Sequence, residues 1–288
     1  MHLLIFGYGF SGRALARELS AEGWSVAATY RRAEAAQTMV ADQVEPVDLG
    51  DVRALEAQIQ RARALLITAP PRPDGCPALR ALAPLIARTG AFPDWTGYLS
   101  TTGVYGDRAG RWVVETSALR AQSAEGARRV VAERDWLDMG RGMGLATHVF
   151  RLPGIYGPGR SALDRVREGR AQRILAPGQV FSRIHVEDLA AALHASIVRP
   201  RGGGIYNICD DLPAPNSDVI AYAAALLGLE PPPAVSLEAA RLGPAAMRFY
   251  AESKRVSNAL AKSELGWRPA YPTYREGLAS ILSADRRA

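Results

Sequence analysis

The chain has 288 residues, 48% hydrophobic and 22% charged, which suits a soluble α/β protein with one large domain or a main domain and a smaller lobe, and excludes disordered and collagen-like classes. All but two of its 35 basic residues are arginines, scattered without a basic run or interleaved aromatics, so the net charge of +6 marks solvated helix faces and no nucleic-acid partner is expected. Cys76 and Cys209 are far apart without CxxC spacing and the four histidines are isolated from one another and from any carboxylate at ligand spacing, so neither a disulfide framework nor a metal site is expected. With no apolar leader and no 18-residue apolar run, a cytoplasmic protein that does not engage a membrane is expected.

The apolar run Leu3–Phe6 reads as a strand, Gly7-Tyr8-Gly9-Phe10-Ser11-Gly12 as a glycine turn and Arg13–Leu19 as a helix. In that order Gly7 permits the tight turn, Gly9 lets backbone approach a pyrophosphate, and Gly12 lets the helix pack on the strand while its first N–H groups face the anion. The expected cofactor-binding residues are therefore Gly7, Gly9, Phe10, Ser11 and Gly12, joined by Asp48, Leu49, Thr68, Ala69 and Pro153 at the carboxyl ends of later strands. Trp24–Tyr30 reads as the second strand, and Arg31 and Arg32 stand at its carboxyl end, where an NAD site places an acid and an NADP site places arginine. They favour NADP over NAD, against the alternative of two solvent-facing arginines.

A third strand, Val44–Val47, ends in Asp48, which accepts from an adenine amino group or caps the next helix. A helix over about 52–61, a fourth strand Ala64–Thr68, a helix around 78–88, a fifth strand Trp95–Ser100, a helix over about 123–139 and a sixth strand Thr147–Leu152 continue the βαβ rhythm. Pro153–Gly159 reads as a site loop. This pattern predicts a Rossmann-type doubly wound parallel sheet over residues 1–160 and a smaller substrate lobe over 161–288, with elements near 184–208 returning to the main domain.

Five segments resemble the extended short-chain dehydrogenase/reductases, the NAD-dependent epimerase/dehydratase group: the glycine turn, Asp48–Asp51, Leu99–Gly106, Phe150–Pro158 and Arg183–Ala190. The resemblance implies hydride transfer on a small molecule such as a sugar nucleotide, and a possible homodimer through the helices after the fourth and fifth strands. It implies that Thr101 orients the reacting hydroxyl, and that Arg151, Arg160 and Arg183 hold a substrate phosphate or diphosphate. It also implies a Tyr-x-x-x-Lys pair, in which cationic neighbours bring a phenol of pKa about 10 toward neutrality.

This chain departs there. With Glu133 fixing the register, Glu125 stands at the tyrosine position and Arg129 at the lysine position. Arg129 keeps the donors for a nicotinamide ribose, and one helical turn between the two predicts an ion pair. No tyrosine lies between Tyr105 and Tyr156 and no lysine precedes Lys254, so Tyr105 and Tyr156 become the candidate proton carriers, against the alternative that either ring packs beside the cofactor. His185 and Asp188 are a candidate polar pair beneath the pocket. Two functions follow: an NAD(P)-dependent oxidoreductase or epimerase on a sugar- or nucleotide-linked substrate, or an inactive NADP-binding redox sensor or interaction protein.

Overall fold

The computed structural model describes residues 1–287. In chain order it contains β1 (His2–Phe6), α1 (Phe10–Ala21), β2 (Ser25–Tyr30), α2 (Ala33–Ala41), β3 (Glu45–Asp48), α3 (Val52–Arg61), β4 (Ala64–Ile67), α4 (Pro77–Thr89) and β5 (Trp95–Thr101). A 3-10 turn at Thr102–Tyr105 leads to β6 (Trp112–Val113), α5 (Ala124–Met143), β7 (Thr147–Leu152), β8 (Gly154–Tyr156), α6 (Ala162–Arg167), β9 (Arg173–Leu175) and β10 (Arg183–His185). The remainder is α7 (Val186–Val198), β11 (Ile205–Asn207), α8 (Asn216–Leu226), β12 (Ala234–Ser236), α9 (Pro244–Tyr250), β13 (Arg255–Val256), α10 (Ala259–Leu265) and α11 (Tyr274–Asp285).

Seven strands form one parallel sheet in the order β11-β7-β5-β4-β1-β2-β3. Strand β1 is buried along its whole length, as a strand covered on both faces must be. Its side chains alternate between the layers: Leu3 and Ile5 pack with Leu15 and Leu19 of α1 and Leu189 and Leu193 of α7, while Leu4 and Phe6 pack with Ile59, Leu82 and Trp136 of α3, α4 and α5. The strand order reverses between β1 and β4, which opens a crevice at their carboxyl ends. A smaller core of Leu163, Val219, Tyr274, Leu278 and Ile281 joins α6, α8 and α11. Among the described residues no helix is long and apolar enough to cross a membrane.

Three boundaries differ from the sequence expectation. Helix α5 runs past Gly140 to a left-handed cap at Gly144, φ 69°. Gly140 is a packing glycine, because a Cβ there would lie 2.4 Å from Thr147 Oγ1. The expected loop after Leu152 contains β8, paired in parallel with β10. The apolar run from Ile184 divides at His185, whose Nδ1 accepts from the Glu187 N–H and starts α7.

Candidate active site

At the crevice, Gly7 takes φ +93°, and a Cβ there would stand 2.9 Å from Thr68 Oγ1 and 3.3 Å from the Ala69 nitrogen. Gly12 is equally confined, with Ile5 Cγ2 3.1 Å from its would-be Cβ. Gly9 differs: nothing lies within 4 Å of that position, so its open face looks into the crevice. It begins α1 with no side-chain cap and no acid in the first turn, leaving the first N–H groups of Phe10, Ser11 and Gly12 for an anion. Thr68 Oγ1 donates to the Gly7 carbonyl at 2.7 Å and fixes the turn against β4. The Tyr8 hydroxyl and Arg13 guanidinium both donate to Asp42, at 2.9 and 2.7 Å, tying the turn to the end of α2.

A groove of about 280 Å³ runs from Gly9 past Thr68 and Thr101 to Arg129, Pro153 and Arg160. Arg160 lies over the Phe10 ring, 5.4 Å from its centroid, on the glycine-turn side of the site. Arg31 and Arg32 are exposed at the start of α2. Asp48 is exposed, with one oxygen accepting from Gly50 N at 2.8 Å. The cap of α3 is Asp51, not Asp48. Leu49 and Ala69 pack against the core beneath.

A second pocket of about 340 Å³ adjoins the groove and shares Thr101 and Pro153 with it. Thr101 Oγ1 accepts from Gly103 N at 3.1 Å, which fixes the side chain at the junction. The far wall comes from the C-terminal part of the chain: Phe181 and Phe249 stack with centroids 4.5 Å apart at 8°, and Lys254 and Glu252 pair at 2.6 Å. Arg248 of α9 lies 3.8 Å from Glu125. None of these five was among the sequence-selected residues.

Helix α5 presents Glu125, Arg129 and Glu133 one turn apart on the face toward the site. Glu133, 3% exposed, accepts from Ser100 Oγ and from Arg151 at 2.8 Å, which anchors the helix under the end of β5. Arg129 donates to the Leu99 carbonyl and to Tyr98 Oη, lying over the Tyr98 ring, and lines the groove. Glu125 lines the adjoining pocket. The expected Glu125–Arg129 ion pair is absent among the described residues, because each side chain has a different partner.

The structure does not bring the two candidate tyrosines to either pocket. Tyr105 is fully buried; its hydroxyl donates to Asn207 at 2.8 Å and accepts from Arg151 at 3.0 Å, and burial pushes its pKa up. The Tyr156 hydroxyl is buried against Gly277, where it would stand 2.1 Å from a Cβ, and burial pushes its pKa up strongly. Neither phenol can reach a substrate in these pockets.

Two of the three candidate substrate arginines are likewise internal. Arg151, 3% exposed, is held by Glu133, Tyr105 and the Glu115 carbonyl. Arg183 donates to the Ala214 carbonyl and lies over the Tyr274 ring. Its neighbour Asp210 is pushed up to about 8 by burial, partly offset by the Arg183 charge. His185 and Asp188 do not bond to each other: Asp188 accepts from the Ala270 and Tyr271 N–H groups at 2.6 and 3.0 Å.

A glycine turn at the reversal point of a parallel sheet, with a hydroxyl at the end of β5 joining groove and pocket, defines an extended short-chain dehydrogenase/reductase fold. The family model for the NAD dependent epimerase/dehydratase family matches residues 85–209. Protein YeeZ of Escherichia coli K12 is 35% identical over 242 residues, 79% of this chain and 84% of that protein. The structure of a functionally unknown conserved protein from Silicibacter pomeroyi DSS superimposes with a TM-score of 0.91 at 46% identity over 98% of each chain. MoeE5 in complex with UDP-glucuronic acid and NAD gives 0.78 at 25% identity over 100% of this chain and 99% of that one. The chain belongs to the NAD dependent epimerase/dehydratase family.

Proposed function

We propose that the chain is an NAD(P)-dependent oxidoreductase or epimerase, with the dinucleotide in the groove and a small-molecule substrate in the adjoining pocket. The observation that carries this reading is the shared wall: Thr101 and Pro153 line both spaces, so a molecule in one meets a molecule in the other. The groove residues fit a dinucleotide, because Gly9 leaves open space above an uncapped helix start and no acid of the first turn competes with a diphosphate. A bound nicotinamide supplies reversible hydride transfer to or from a substrate carbon. Gly9 and the first N–H groups of α1 hold the diphosphate, Arg129 offers donors toward the nicotinamide end, and Thr101 orients the substrate oxygen. Arg31 and Arg32 support NADP over NAD, since exposed guanidinium groups at that strand end suit a 2′-phosphate.

The rival reading, a dinucleotide-binding sensor without catalysis, draws on the displacement of both candidate tyrosines from the pockets. Incubating the protein with NADPH or NADP and a panel of carbonyl and hydroxyl compounds, while following nicotinamide absorbance, separates the two. Turnover supports the enzyme; tight dinucleotide binding with no turnover across the panel supports the sensor.

A further inference from the structure

The adjoining pocket has its charges already matched. Its described lining contains two cations, Lys254 and Arg248, and each faces a carboxylate of the same pocket, Glu252 at 2.6 Å and Glu125 at 3.8 Å. The Lys254–Glu252 pair is withdrawn from water, its side chains 10% and 15% exposed, which strengthens the attraction. A diphosphate entering here would have to displace the Lys254–Glu252 pair and then lie against two carboxylates, which like-charge repulsion opposes. The arginines that the sequence offered for such a group are elsewhere: Arg151 binds Glu133, Arg183 is buried, and Arg160 stands in the dinucleotide groove.

The walls are flat and apolar. Phe181 and Phe249 stack at 4.5 Å and 8°, Phe249 is half exposed, and Val180, Val256 and Pro153 extend the surface. A volume of about 340 Å³ stands near the lower end for small-molecule sites, roughly 300–1,000 Å³. The choice of lysine is also informative. The chain uses arginine nearly everywhere, with Lys262 its one other lysine, and a guanidinium does not release a proton whereas an ammonium does.

We propose that this pocket takes a compact, planar carbonyl compound without phosphate, lying against the Phe181–Phe249 wall, with Lys254 as the proton donor to its oxygen. The proposal rests on the dinucleotide reading of the groove. In the reducing direction, hydride from a reduced nicotinamide forms the new C–H bond at the carbonyl carbon, and the C=O π pair moves to oxygen. That oxygen takes a proton from the Lys254 ammonium to give the alcohol; the nicotinamide is oxidised and the carbonyl reduced. Glu252 holds the ammonium in place, and the amine is reprotonated from solvent. Lys254 thus fills the role that the resemblance gives to a phenol.

The test uses the full chain saturated with NADP and reads binding of acetophenone, benzalacetone and UDP-glucose by ligand-observed NMR, with NADP affinity measured separately by calorimetry. The aryl ketones bind and UDP-glucose does not; Phe249→Ala weakens ketone binding about tenfold, while NADP affinity is unchanged. With NADPH supplied, Lys254→Arg retains ketone binding and loses reduction, and Lys254→Met loses reduction with the same NADP affinity. UDP-glucose binding that Phe249→Ala or Lys254→Met abolishes, failure of both ketones to bind, or full reduction by Lys254→Arg overturns the proposal. Absence of NADP and NAD binding by the wild type refutes the groove reading instead, and ketone binding without dinucleotide then still reports on the pocket.

Discussion

Arg151 gives the sharpest separation between a structural and a ligand-binding role. Its guanidinium makes a bond of 2.8 Å to Glu133, two longer bonds to the same carboxylate, and bonds to Tyr105 Oη and the Glu115 carbonyl, with both ion-pair side chains 3% exposed. Arg151→Leu leaves the Glu133 carboxylate buried without its counter-charge, which costs about 3–5 kcal/mol. Glu133→Leu in the same chain removes the stranded charge and leaves only neutral groups short of a partner, the Ser100 hydroxyl as donor and Tyr105 Oη and the Glu115 carbonyl as acceptors, at about 1 kcal/mol each. The double variant is therefore more stable than Arg151→Leu by about 2 kcal/mol, and adding Glu133→Leu alone completes a double-mutant cycle in urea that isolates the interaction energy of the pair. Far-UV circular dichroism follows unfolding, and calorimetry on the folded variants shows NADP affinity within threefold of wild type. An Arg151→Leu protein of wild-type stability that no longer binds ligand would refute the structural assignment and return Arg151 to the substrate site.

Two further outcomes follow from single groups. Arg31→Ala with Arg32→Ala lowers NADP affinity by about tenfold or more, from loss of charge-assisted phosphate bonds, and leaves NAD nearly unchanged; equal losses in titration calorimetry contradict the 2′-phosphate role. Asp210 is pushed up to about 8 by burial from an ordinary 3.8, so the folded chain keeps a proton that the unfolded chain releases between those values. Its contribution to stability is full below pH about 4 and is lost as pH rises toward 8, with a slope approaching 1.4 kcal/mol per pH unit. Urea midpoints from pH 5 to 8 therefore fall more steeply for wild type than for Asp210→Asn, and parallel curves refute the assignment.

The features legible in the sequence were those set by near neighbours. Strand, glycine turn and helix at residues 2–21 follow from local patterning, and Glu125 and Arg129, spaced by fours from Glu133, line the adjoining pocket and the groove because residues four apart share a helix face. Tyr105 and Tyr156 do lie near strand ends, as read, yet backbone position leaves side-chain direction open. The 3-10 turn aims Tyr105 inward to Asn207, and α11 covers Tyr156. Lys254 was hidden for another reason: it lines the same pocket as Thr101 from about 150 residues further along the chain, and only tertiary packing brings the two to one cavity. The one signal available was its rarity, a lysine in a chain that otherwise uses arginine.

The groove is tested most directly at Gly9. Its backbone is extended, φ −113°, and nothing lies within 4 Å of a Cβ there, so valine fits the fold and fills only the space above the start of α1. Titration calorimetry of wild type and Gly9→Val with NADP, beside their melting temperatures, gives the comparison. Wild type binds, and Gly9→Val melts like wild type but binds at least a hundredfold more weakly, about 2.7 kcal/mol. Equal affinity in the two proteins, or no binding by wild type, would contradict the placement of a dinucleotide in this groove.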